Sequence, residues 1–165
     1  MLYSSQEFKL ARCRKLNYAE IAKIARDYFN EKFQFASDFL LGARYYAGLQ
    51  KYKMASFHLH QAAENYLRTI PLVYILYGYK DHALEILMDR CKTHTLQLVS
   101  VFPRNTEEER RLFNLLQDAY VQARYNKDFV VTKTDIDALI PRLELMRDIT
   151  EKVCCDRIAY YERQS

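Results

Sequence analysis

The sequence predicts an all-α fold, an antiparallel bundle of five to six helices, and three observations carry that prediction. Only 3 Gly and 3 Pro occur in 165 residues, too little turn chemistry for a sandwich or barrel of many short strands. Apolar residues recur at helical spacing from Asn17 onwards. The β-prone stretch Val130–Val131–Thr132 is too short and isolated to pair into a sheet. With 50% apolar and 28% charged residues, the chain has a globular composition and the length of one domain.

The elements follow in order. Residues 1–16 carry Lys9, Arg12, Arg14 and Lys15 without a sustained period and read as a linker or N-terminal arm. Residues 17–165 form the helical domain. A helix is expected over about 18–29, then a longer one over about 31–50 with Phe35, Phe39, Leu40, Ala43 and Ala47 at helical spacing. Gly48 and the Gln50–Lys51 turn end it. A third helix spans about 53–77, where Pro71 should kink it or end its regular part, and Gly78 closes it. Residues 80–102 read as two short helices broken near Lys92–Thr93, with Thr93 as N-cap of the second and Pro103 past its end. Thr106 and Glu109 form a capping box that opens a helix reaching Arg124 or Tyr125. Thr134 caps a last helix to about residue 162, with Ile136, Leu139, Leu143, Met146 and Val153 on one face and Pro141 in its second turn.

Composition also excludes functions. Gly42, Gly48 and Gly78 cannot make a glycine-rich phosphate loop. The net charge of +4 is too weak to argue for nucleic acid, and no DNA partner is expected. The charge is uneven: residues 1–53 hold ten Lys/Arg against five Asp/Glu, and the remainder fifteen against sixteen. The surplus favours a partner domain or a phosphate-bearing ligand near the first third. Cys154 and Cys155 are adjacent, Cys13 and Cys91 are isolated, and no CxxC spacing occurs, so neither a disulfide framework nor a zinc site is expected. Cys154 and Cys155 read as one core and one surface thiol. The longest apolar run, Thr69 to Tyr79, is about half what crosses a bilayer. With no leader pattern, a cytoplasmic protein with no membrane partner is expected.

The third helix is the most informative segment. At about 100° per residue, Ala55, Leu59, Ala62, Ala63, Tyr66 and Ile70 fall on one side and should face the core. The other arc carries His58, His60, Gln61, Glu64, Asn65 and Arg68, interrupted by Phe57. A solvated face with a Glu64–Arg68 pair at i, i+4 is one reading; a ligand cleft or subunit interface is the other.

These residues resemble the HEPN domain family. The family's second helix reads as an apolar–His/Gln–Gln-Ala-x-Glu pattern, matched here by Phe57 to Glu64. Lys92–Thr93–His94–Thr95–Leu96 is similar to a later Thr-His-x-Leu, and Ala123–Arg124–Tyr125 to the family's fourth block. The opening Leu2-Tyr3, Glu7-Phe8 and Leu10-Ala11 look like the junction where a bacterial nucleotidyltransferase domain precedes a HEPN domain. The resemblance implies a bacterial helical bundle, usually a homodimer, that binds a nucleotide such as ATP or GTP or serves a nucleotidyltransferase domain in the same or a partner chain. Ligand-binding candidates are His58, Gln61, Glu64, His94, Arg124 and Tyr125.

No catalytic residue is expected. HEPN ribonucleases carry a His four to six residues after the block Arg, whereas Arg124 is followed by Tyr125-Asn126-Lys127-Asp128-Phe129-Val130. His58 and His60 lie two apart, on different sides of a helix, so they cannot share a metal ion. Asp135 and Asp137 suit capping and the helix dipole. Arg124 reads either as a last-turn Arg complementing the helix dipole or as a phosphate contact with Tyr125 as a stacking surface. His94 either caps a helix or faces the same cleft. The expected function is a non-catalytic nucleotide-binding or substrate-presenting module. A structural dimerisation and docking module is the alternative, and an RNA-cleaving enzyme a third reading.

Overall fold

The computed structural model describes residues 15–165. The segment likened to a domain junction, and all but the last two residues of the expected arm, lie outside them. Five helices account for the described architecture: α1 (Tyr18–Gly48), α2 (Tyr52–Ile75), α3 (Leu84–Cys91), α4 (Glu107–Tyr125) and α5 (Lys133–Gln164). No strand occurs among the described residues.

The α1 helix is one continuous element, not the expected two. Asn17 caps it, its Oδ1 accepting from the Glu20 amide at 2.9 Å. No Gly or Pro interrupts residues 29–31, and the core stripe of Ala22, Ala25, Phe29, Phe33, Ala36, Leu40 and Ala43 stays in register across them. Stacking of Phe29 on Phe33 (4.8 Å) spans the expected break. The stripe carries small side chains, Ala55, Ala62 and Ala63 of α2 are fully buried, and α1 packs along α2.

The hub is α2. It packs against each of the other four helices, and fifteen of its 24 residues are buried. Its core face is as the periodicity predicts, with Ala55, Leu59, Ala62, Ala63, Tyr66 and Ile70 all at 0% exposure. Polar residues share this burial by bonding within the helix: Asn65 Nδ2 donates to the Gln61 carbonyl (2.8 Å) and Thr69 Oγ1 to the Asn65 carbonyl (2.7 Å).

Pro71 does not end α2 at once. Having no N–H, it leaves the Leu67 carbonyl without its usual donor, and the Cys91 thiol of α3 donates there instead (3.3 Å). The helix continues to Ile75. It is closed by Leu76 in the left-handed region (φ 54°), not by Gly78, which has an ordinary negative φ.

Two further boundaries differ from expectation. Residues 92–102 form turns, not a second short helix. There Thr93 Oγ1 donates to the Arg90 carbonyl (2.9 Å) instead of capping, while Leu98, Val101 and Phe102 fill the core. Thr132, not Thr134, caps α5, because Asp135 at the third helical position completes a reciprocal capping box with it. Asp135 also pairs with Arg111 (2.7 Å), tying the start of α5 to α4. Thr106 does cap α4, accepting from Glu109 N at 3.1 Å. Cys154 is buried and Cys155 exposed, as the helical period implies.

Cross-links fix helix directions. Arg26–Glu162 and Arg44–Glu144 join opposite ends of α1 and α5, and Lys53 Nζ reaches the Asn126 carbonyl at 2.7 Å. Thus α1 runs antiparallel to α5, and α2 antiparallel to α4. Tyr161 Oη donates to the Val73 and Tyr74 carbonyls (2.8 and 3.0 Å), placing the C-termini of α2 and α5 together.

One glycine is required by a close approach. A Cβ on Gly42 would lie 2.8 Å from His58 Cδ2, and that ring is hemmed in by Tyr46 (4.8 Å), Phe39 and Phe57 (5.8 Å each). Gly42→Ala is therefore expected to destabilise by about 1–2 kcal/mol through overpacking, despite a helix-propensity gain of about 1 kcal/mol. A Cβ on Gly48 meets nothing, so Gly48→Ala is expected to be neutral or mildly stabilising. Urea unfolding of the two variants checks the opposite signs.

Candidate functional site

His60, Glu64 and Arg68 follow at four-residue intervals and so share one face of α2. Two elements cover that face: α4, which brings Tyr120 and Arg124, and the 76–83 connection, which brings Asp81 and His82. The result is a charged cluster at the boundary of the core. His60 is 0% and Glu64 2% exposed.

Glu64 is the junction. Its Oε1 accepts from Arg68 Nη1 (2.8 Å) and from His82 Nδ1 (2.9 Å). Arg68 Nη2 donates to the Asp81 carbonyl (2.7 Å), so one guanidinium holds both the carboxylate and the connection. The His60 ring donates from Nε2 to the His82 carbonyl (3.2 Å), which leaves Nδ1 as an acceptor facing Glu64 Oε2 at 3.6 Å. Neither of those facing atoms has a hydrogen-bond partner.

Aromatic stacking completes the site. His82 lies flat on Tyr120 (4.7 Å, 12° between planes) and His60 leans on the same ring (5.2 Å). Arg124 sets its guanidinium over Tyr120 (4.5 Å), Tyr125 (5.0 Å) and Phe57 (5.2 Å). Its Nε donates to the Tyr120 carbonyl at 2.8 Å, the last-turn role that the dipole argument anticipates. Its terminal nitrogens make no hydrogen bond among the described residues.

The structure separates the six candidate residues. Glu64, Arg124 and Tyr125 belong to this cluster, with Tyr125 76% exposed beyond the guanidinium. Gln61 is half-buried on the same helix, its carbonyl taken by Asn65. His58 points away, into the α1 aromatics, with Nδ1 bonded to the Met54 carbonyl (2.9 Å). His94 stacks on Tyr74 (5.1 Å), where burial foremost, and Arg157 secondarily, lowers its pKa. The polar arc of α2 is thus neither a solvated face nor an open cleft. It is a row of buried (His60, Glu64, Asn65) and half-buried (Gln61, Arg68) side chains, with its opening at His82 and Arg124.

Sequence reasoning passed over His82 and Tyr120 altogether. His82 lies in a segment without periodicity, and Tyr120 sits where an amphipathic helix would place any core ring. The spacing of His60 to Glu64, i to i+4, places those two on one face of α2 and carries no sign of a partner from another element.

No group of three or more His, Cys, Asp or Glu among the described residues could hold a metal ion. No helix among them is long and apolar enough to cross a membrane. Compared with known proteins, the chain matches the family model for the HEPN domain over residues 29–153, from within α1 to within α5. No curated protein matches it.

Burial sets the protonation of the cluster. It lowers the pKa of His60 from 6.5 to about 4, with the nearby His82, Arg68 and Arg124 pushing the same way and the His82 carbonyl opposing. Burial raises Glu64, against the opposing pull of Arg68 and His82. A lowered folded-state pKa means the unfolded chain binds the extra proton first. The stability contributed by neutral His60 is therefore present above pH 6.5 and lost as pH falls towards 4, by up to roughly 3 kcal/mol. Glu64 acts in the opposite sense, contributing stability below its unfolded pKa that is lost as pH rises through its folded value. Urea unfolding of wild type and His60→Gln between pH 7.5 and 4.5 isolates the histidine: the wild type should lose stability on acidification relative to the variant, and parallel curves would reject the assignment.

Proposed function

The chain belongs to the HEPN domain family, and on that premise we propose that it is a non-catalytic nucleotide-binding module whose ligand contacts the Arg124–Tyr125 end of the Glu64 cluster. The observation that carries the reading is the state of Arg124. Three rings hold its guanidinium in place, and its terminal nitrogens make no hydrogen bond among the described residues. A planar, pre-oriented fork of donors suits bidentate contact with a phosphate. The exposed face of Tyr125 offers a base a surface on which to stack. His82, 52% exposed at the side chain and braced at Nδ1 by Glu64, presents its Nε2 beside the platform.

In this reading the nucleotide, such as ATP or GTP, is bound for a nucleotidyltransferase domain in the same chain or a partner chain. The surplus of Lys and Arg in the first third of the sequence suits such a partner, and the module pairs as a homodimer in a bacterial cytoplasm. A purely structural docking module would bind no nucleotide; light scattering that finds only monomer at high concentration would count against the docking role.

A second reading has one observation in its favour. The cluster contains a histidine, His82, oriented by a buried carboxylate, as a general base requires, and it shares the Tyr120 ring with a cation. Its Nε2 would take the proton from an RNA 2′-hydroxyl as O2′ attacks phosphorus to form a 2′,3′-cyclic phosphate, while the P–O5′ bond breaks and the departing 5′-oxygen takes a proton from water.

Titration calorimetry with ATP and GTP tests the first reading. Arg124→Ala should weaken binding at least tenfold, and Arg124→Lys should restore only part of it, because an ammonium keeps the charge but not the fork. Absence of heat with every nucleotide overturns it. Incubation with mixed RNA tests the second: cleavage lost in both His82→Ala and Arg124→Ala supports it, and no cleavage beyond those controls rejects it.

A further inference from the structure

A cavity of about 560 Å³ opens where the α1–α2 turn, the last turn of α4 and residues 127–131 meet. Lys51, Lys53 and Lys127 line it, together with Tyr52, Phe129 and Ala123 among others, and no carboxylate does. Elsewhere on the described surface four lysines sit against acids, Lys23 on Asp27, Lys92 on Asp89, Lys133 on Asp137 and Lys152 on Asp156, while Lys15, Lys32 and Lys80 stand singly; here three lysines share one concavity. Lys51 and Lys127 have no ion pair among the described residues. Lys53 spends one of its three donors on the Asn126 carbonyl (2.7 Å), which holds its ammonium against the end of α4. Three positive charges around one concavity repel one another and lower the cost of bringing in an anion. Ala123 lines it, and Arg124 is the next residue of the same turn; Lys53 also lies one turn before Phe57, a ring under the Arg124 guanidinium.

We infer that this lysine-lined cavity is an oligophosphate site, taking the phosphate chain of a ligand that carries two or more linked phosphates. Taken with the reading of Arg124 as a nucleotide contact, on which this extension rests, the ligand is a nucleoside di- or triphosphate and not a monophosphate. Arg124 holds the phosphate nearest the nucleoside, and Lys51, Lys53 and Lys127 hold the rest. Tyr52 and Phe129 give one side of the site an apolar wall. Size and charge favour this class: one phosphate does not need three ammonium groups, and a chain of three spreads its charge across a concavity of this volume.

The test is titration calorimetry of the 165-residue chain with inorganic tripolyphosphate, ATP and AMP. The comparison is between wild type and Lys51→Ala/Lys127→Ala, two exposed positions outside the core, with circular dichroism as a check of folding. Tripolyphosphate and ATP are expected to bind the wild type and to lose roughly tenfold in affinity in the double variant, while AMP changes less than twofold. Binding of tripolyphosphate that the double variant leaves unchanged would overturn the inference. ATP binding no tighter than AMP, with no heat from tripolyphosphate, would overturn it while leaving the nucleotide reading of Arg124 in place. Tripolyphosphate held by the wild type and lost in the double variant, with no nucleotide binding at all, would support the oligophosphate site and overturn the nucleotide reading. Silence from all three titrants overturns both.

Discussion

A carboxylate at the edge of a hydrophobic core is the constraint around which this domain is arranged. Glu64 sits on the central helix with 2% of its surface exposed, and an unpaired charge there would cost several kcal/mol. The surrounding structure answers that cost. Arg68 comes from the same helix at the spacing that lets the two side chains meet. His82 comes from a connection that Arg68 itself pins through the Asp81 carbonyl. Removing either partner leaves the buried acid half-satisfied, so the position of the 76–83 connection depends on Glu64 as much as Glu64 depends on it.

The same arrangement explains why the surface chemistry lies where it does. His82 is presented at the mouth of the cluster because Glu64 and Tyr120 fix its ring from two sides. Arg124 is held over Tyr120 because its Nε bonds the Tyr120 carbonyl in the last turn of α4, and the outer nitrogens make no hydrogen bond among the described residues. The buried core of α2 therefore positions two groups that are themselves exposed. Rigid positioning by a packed scaffold is what a binding site needs if little ordering is to be lost when a ligand arrives. The acceptor pair of His60 Nδ1 and Glu64 Oε2 belongs to this support, since its burial keeps His60 neutral and its Nε2 proton on the His82 carbonyl.

Proline and cysteine show a second economy of the fold. Pro71 removes a donor from the middle of the buried helix, and Cys91 restores one from α3. The burial that makes this thiol a structural partner also pushes its pKa up to about 12, which keeps it unreactive. A residue that reads as an isolated cysteine in sequence thus fastens α3 to α2 at the point where α2 is weakest.

The sequence by itself determined the helical class, the core face of α2 and the start of α4, because each rests on local rules: a 3.6-residue period and a side chain three residues from the amide it caps. It also named Glu64, Arg124 and Tyr125, three residues that the structure brings into one cluster. Local rules misplaced the ends of elements wherever a distant residue decided the matter. The expected break at residue 30 vanished because the aromatic stripe of α1 packs continuously, and Thr132 took the cap of α5 because Asp135 was already committed there and to Arg111. Only the tertiary structure decided that His58 serves the α1 interface while His60, two residues away, joins the cluster. It alone supplied His82 and Tyr120, since a histidine in a connection and a tyrosine on an amphipathic face carry no local signal. Their role comes from contacts between residues up to sixty positions apart, and no spacing along the chain encodes such contacts.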